Sequence, residues 1–209
     1  MPPLPDASRR MTSLGFDPQP FPAGTHMCFI FNDETERRQV LAKYIQSGLE
    51  SDEQVAYFVD TMSPEELREH LRKLGVDVPE PENAQCLLLS AEETYCPDGT
   101  FSPDRMLDTL ESAWEKSRGD GFKGLRVTGE MNWALRQPPG SERLIEYESR
   151  VNQVLARVPV TAICQYDARL FDGETLYRLL KVHPMMIVDG RVVRNPYYDA
   201  SESADACRC

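Results

Sequence analysis

The sequence predicts an α/β fold, a mostly parallel sheet with helices on both faces and an antiparallel hairpin at its C-terminal edge. Three observations carry that expectation. Short apolar runs alternate five times with longer amphipathic stretches, the pattern of parallel strands joined by helical crossovers. The runs are continuous rather than alternating, as in strands covered on both faces. Near the end, Asp189-Gly190 separates two short apolar segments, a two-residue hairpin signal.

Each element follows from local chemistry. Residues 27–31 (Met-Cys-Phe-Ile-Phe) form the first buried strand. Asn32 or Asp33 can cap the next helix, whose stripe is Val40, Leu41, Tyr44, Ile45 and Leu49, with Gly48 as a stop. Residues 54–60 are the second strand. Ser63-Pro64-Glu65-Glu66 then offers a cap hydroxyl, a first-turn proline and a third-position glutamate, and Gly75 ends that helix. Residues 86–90 are the third strand, and 91–100 read as a loop. Ser102-Pro103-Asp104 opens a helix that turns Met106, Leu107, Leu110, Ala113 and Trp114 inward. Residues 125–131 are the fourth strand. Ser141 opens a helix striped by Leu144, Tyr147, Val151, Val154, Leu155 and Val158, and 160–166 are the fifth strand. A short helix around 175–182 leads to the hairpin.

At 209 residues the chain holds one full core. The expected division is a flexible, proline-rich arm over 1–24, one domain over 25–198 and a tail over 199–209. A net charge of -11 and a pI near 4.8 argue against direct binding of nucleic acid or an anionic membrane, both of which need a basic footprint. No apolar run reaches membrane-spanning length and no secretory plan opens the chain, which points to a cytoplasmic protein. Six dispersed cysteines read first as buried thiols, and Cys207 and Cys209 carry little weight.

The turn after the first strand is the most informative stretch. In nucleotide-binding α/β proteins it is a glycine-rich phosphate cradle with a Lys-Ser/Thr pair. Here Asn32-Asp33-Glu34-Thr35-Glu36 has neither, and its three carboxylates would repel a triphosphate, offset in part by Arg37 and Arg38. The plainer reading is an acidic first helical turn, favoured by the helix dipole. Both readings exclude the usual ATP hydrolysis, so no ATP is expected and the chain is not expected to be an enzyme.

Residues 31–78 resemble the opening of a RecA/KaiC-type domain in their strand, turn, helix ending Gly48-Leu49, second strand and Ser-Pro-Glu-Glu helix. A fuller set of motifs, from His26 to Tyr197, resembles the MEDS family, the methanogen/methylotroph, DcmR-like sensory domains. They are His26-x-Cys28, Gly48-Leu49, Gly75-Val76-Asp77, the run from Gly124 to Met131 with Trp133, Cys164-Gln165-Tyr166-Asp167, His183-Pro184 and Asn195-Pro196-Tyr197-Tyr198. The resemblance implies a RecA-like fold used in prokaryotic signal transduction to detect a small hydrocarbon derivative. It also implies output to a kinase, an anti-sigma factor or a transcription regulator. No such module is readable in this sequence, so the partner is expected in trans.

Ligands of doubly wound sheets sit beyond the carboxyl ends of the strands. The expected ends supply Asn32, Asp60, Ser90, Glu130 and Tyr166, with Trp133 as an apolar wall. Glu130 is the leading candidate to meet a ligand, and a carboxylate paired with Arg126 is the plain alternative. His26, Cys28, Cys164 and His183 would suit a borderline metal, and with it a metal- or thiol-dependent enzyme, if they converged, a minority reading because the two histidines fall at strand beginnings. A ligand-independent interaction module on the same scaffold is the remaining alternative; it would show a broad apolar patch.

Overall fold

A computed structural model describes residues 9–201 of the chain. Seven of its strands form one sheet: β3 (His26–Phe31), β4 (Glu53–Val59), β5 (Cys86–Ser90), β6 (Gly124–Glu130), β7 (Thr161–Asp167), β8 (Met185–Val188) and β9 (Arg191–Arg194). Their order is β5-β4-β6-β7-β3-β8-β9, and every pairing is parallel except β8 with β9. β4, β6 and β7 are buried along their whole length, which explains their unbroken apolar character. The expected hairpin is present, with Asp189 and Gly190 both at positive φ as a type I′ turn requires.

Two apolar layers sandwich the sheet. On one face lie α1 (Glu34–Glu50) and α2 (Pro64–Lys73), which contribute Val40, Leu41, Tyr44, Ile45, Leu67 and Leu71. On the other lie α3 (Ala91–Tyr95), α4 (Pro103–Gly119), α5 (Leu144–Arg157) and α6 (Gly173–Val182). The caps work as their chemistry dictates. Asp33 accepts from the first N–H groups of α1, Ser63 and Glu66 form a full capping box on α2, and Ser102 caps α4.

Three local expectations are corrected. Gly48 does not stop α1, which runs on to Glu50. A Cβ there would meet the Arg126 side chain at 2.6 Å, so the glycine makes room for a buried guanidinium. The loop expected over 91–100 begins with α3, capped by the Ser90 hydroxyl. Residues 9–24, assigned by composition to a flexible arm, are packed on the domain. β1 (Met11–Thr12) pairs with β2 (Phe21–Pro22), Leu14 is fully buried, and Arg9 donates to the Leu155 carbonyl at 2.6 Å. Thr12 and Arg10 reach Glu53, the acid that also binds Arg126, so this segment completes a buried ion-pair network. Cys207 and Cys209 lie outside the described residues.

Candidate functional site

The topology opens a crevice. From β3 the chain crosses through α1 towards β4, whereas from β7 it crosses through α6 to β8 on the other side. Such a reversal leaves a gap beyond the carboxyl ends of the strands where ligands bind. A cleft of about 270 Å³ lies there, with Phe31, Thr61, Glu130 and Asp167 at the strand ends, Arg37 and Arg38 from α1, and Met62 and Leu170 on its walls.

Glu130 is central to this cleft and already fully engaged. Its Oε1 accepts from Arg37 at 2.9 Å and from the Tyr57 hydroxyl at 2.8 Å. Its Oε2 accepts the backbone N–H groups of Asp60 at 2.9 Å and Thr61 at 2.7 Å. Burial pushes this carboxyl up, but Arg37, the Asp60 N–H and Tyr57 outweigh it and hold the group below its ordinary value. The pairing with Arg126 is not formed, because Arg126 is bound to Glu53. Arg37 is the true partner, and it also donates to Gln165 at 2.9 Å and to Glu34. The turn before α1 is closed as well, since Asp33 Oδ1 accepts from the N–H groups of Thr35 and Glu36 at 2.7 and 3.3 Å.

Of the six residues expected to bind ligand, Glu130 lines this cleft. Asn32 lines a separate cleft of about 340 Å³ beside β8. Asp60 pairs with Arg136, and Ser90 serves as a helix cap. Trp133 is buried, stacked on Tyr95 with ring centroids 4.9 Å apart. Tyr166 points to a different place, the second polar cluster in the molecule.

That cluster joins His26, Glu148, Cys164 and His183, all buried, with one potential ligand atom from each lying within 4.8 Å of the others. His26 Nε2 is 3.4 Å from Cys164 Sγ and 3.3 Å from Glu148 Oε2. His183 Nε2 is also 3.3 Å from Glu148 Oε2, yet it makes no hydrogen bond. Three of the four residues considered from sequence for a metal therefore meet. Cys28 stands beside Cys164 in the β3–β7 register but is not in the group. Burial lowers the pKa of His26, as does the neighbouring His183, while burial and Glu148 push the Cys164 thiol up.

Glu148 is not among the residues expected from sequence, although the sequence carries a signal for it. It lies four residues after Leu144 and three before Val151, on the apolar stripe of α5, where a carboxylate is unexpected. Asn152, one turn further on, holds His26 Nδ1 at 2.9 Å.

Sheet order, crevice and helical layers together define a RecA-like α/β domain. Solved structures agree on the fold. A KaiC-like protein from Pyrococcus horikoshii OT3 superimposes with a TM-score of 0.61 at 16% identity, covering 86% of this chain and 80% of its own. The flagellar accessory protein FlaH from Methanocaldococcus jannaschii gives 0.58 at 12% identity, covering 87% and 83%. The particular family is set by sequence: residues 25–184 match the model for the MEthanogen/methylotroph, DcmR Sensory domain, and the chain belongs to this MEDS family. It is also 28% identical over 160 residues to the transcriptional repressor DcmR of Methylorubrum extorquens, a match spanning 76% of this chain and 57% of the repressor. These similarities support a sensory, signalling role. Among the described residues no helix is long and apolar enough to cross a membrane.

Proposed function

We propose that this domain senses a small, uncharged hydrocarbon derivative in the strand-end cleft and passes its occupancy to a transcription regulator or another signalling partner. The observation that carries the reading is the charge balance of the cleft. Three cations (Arg37, Arg38, Arg169) face three carboxylates (Glu34, Glu130, Asp167), with Phe31, Met62 and Leu170 as apolar surface among them. A volume of about 270 Å³ suits a molecule of few atoms. A triphosphate would meet carboxylates, and the N–H groups that would cradle it are already occupied by Asp33. Those features favour a binding domain without nucleotide hydrolysis.

Transmission requires different ligand affinities in two states of the domain. Asp60 and Thr61 donate to Glu130 and start the segment before α2, so a ligand that draws on Glu130 or Arg37 changes the hold on that segment.

The test is a calorimetric titration of the purified protein with short alcohols, ketones and halides, and with magnesium-ATP as a contrast. Saturable binding of an uncharged compound, lost in Met62→Trp because the indole fills the cleft, is expected. Tight ATP binding, or organic binding untouched by Met62→Trp, overturns the reading.

A further inference from the structure

We propose that His26, Glu148, Cys164 and His183 form a buried centre for one divalent transition-metal ion of the zinc type. The proposal is independent of the ligand cleft, because these four residues do not line it.

Hydrogen bonding fixes which atoms face inward. The Asn152 amide nitrogen donates to the Val182 carbonyl at 2.7 Å, so its oxygen faces His26 Nδ1, which must carry the proton. His183 Nδ1 lies 2.8 Å from the Leu179 carbonyl, which can only accept, so that nitrogen is protonated too. Both imidazoles thereby turn Nε2 towards the same carboxylate oxygen, and His183 Nε2 has no hydrogen-bond partner. A carboxylate in this dry interior needs a positive partner, and a proton on Nε2 or one metal ion shared by both imidazoles supplies it; the metal also engages the thiol. Among the described residues the side-chain partners of Glu148 are two imidazoles, a thiol and the Tyr166 hydroxyl, with no guanidinium or ammonium.

The spacing fits the ion. Zinc bonds of about 2.0–2.3 Å in tetrahedral geometry place neighbouring ligand atoms roughly 3.3–3.7 Å apart. Four of the six pairs here lie at 3.3 or 3.4 Å: His26 with Glu148, His26 with Cys164, Cys164 with Glu148, and His183 with Glu148. The second shell is complete. Asn152 and the Leu179 carbonyl orient the imidazoles, and Tyr166 donates to Glu148 Oε1, leaving Oε2 for the metal. On binding, the Cys164 thiol loses its proton to solvent and the sulfur bonds the ion. One thiolate and one carboxylate then balance its two charges. Mixed nitrogen, sulfur and oxygen donors suit zinc and similar borderline ions better than calcium or magnesium. With four protein ligands the site is closed, so its expected role is to tie β3 and β7 to α5 and the end of α6.

The test uses the full chain purified without a metal-affinity column. Elemental analysis is expected to find about one transition-metal ion per chain. After chelation, cobalt(II) is expected to restore it, with a thiolate charge-transfer band that Cys164→Ser removes and that Cys28→Ser and the Cys207→Ser/Cys209→Ser pair keep. X-ray absorption on the unmutated protein covers the case in which Cys164→Ser misfolds, and should show two imidazoles, one sulfur and one oxygen. A metal-free chain that takes up no cobalt overturns the proposal, as does a different ligand set or a band abolished by the tail variant alone.

Discussion

Two buried glutamates, Glu130 and Glu148, face the same physical problem and receive different answers. Both are almost inaccessible to solvent. Glu130 has a permanent cation, Arg37, together with a phenol and two backbone N–H groups, so its charge is neutralised within the chain. Among the described residues Glu148 has a phenol but no permanent cation, and its other neighbours are titratable or metal-binding groups. The first is neutralised within the chain where it borders the ligand cleft, and the second is a socket for a cation from outside. Burial alone therefore does not say what a carboxylate binds; the nature of its counter-charge does.

The sharpest way to break this contrast is to remove the cation. Arg37→Met leaves the Glu130 carboxylate buried and unpaired, and should cost about 3–5 kcal/mol of folding stability. The double variant Arg37→Met/Glu130→Gln should regain most of that loss, because the orphaned charge is gone. Urea unfolding of the two variants measures both values. A single variant within about 1 kcal/mol of the unmutated protein would show that water reaches Glu130 and that the site is not closed.

Glu148→Gln probes the other glutamate, and its sign should depend on metal. In chelator-treated protein the substitution removes a buried charge that has no permanent cation and supplies an N–H for an imidazole nitrogen. It should be neutral or stabilising, within about 1–2 kcal/mol. In metal-loaded protein the same change removes a ligand and should lower the melting temperature. Equal effects under both conditions would mean that Glu148 is only a packing residue with hydrogen bonds.

Most of the fold could be read from sequence, and the site much less so, for a physical reason. Strands and helices declare themselves through local rules: the apolar runs, the caps at Asp33, Ser63 and Ser102, and the αL glycine at Gly75 after α2. Site chemistry depends on which distant residues meet. Asp60, Ser90 and Tyr166 were placed by strand-end position, yet their side chains bind Arg136, cap α3 and reach Glu148. Residues 9–24 lack periodicity because they pack by single anchors such as Leu14 and Arg9 rather than along a face. The histidines looked too far from the cleft to matter, and they are indeed elsewhere; what sequence position hid was that His183 closes α6 beside His26.

Acid titration gives the smallest effect and separates the two glutamates without removing a cation. The folded pKa of Glu130 lies below its ordinary value, with burial opposing the shift and Arg37 and the donated hydrogen bonds producing it. A depressed carboxylate stabilises the fold fully above its unfolded pKa of about 4.5, and the contribution fades as pH falls through the folded value. Glu130→Gln should therefore flatten the loss of stability below that point and leave the profile near neutrality parallel to that of the unmutated chain. Denaturant midpoints measured from neutral pH downward, on chelator-treated protein so that metal release does not contribute, report the difference. An acid limb as steep in Glu130→Gln as in the unmutated chain would show that the carboxylate is not held by Arg37 in solution. The distinction between a self-neutralised glutamate and one awaiting a cation would then fail on the Glu130 side.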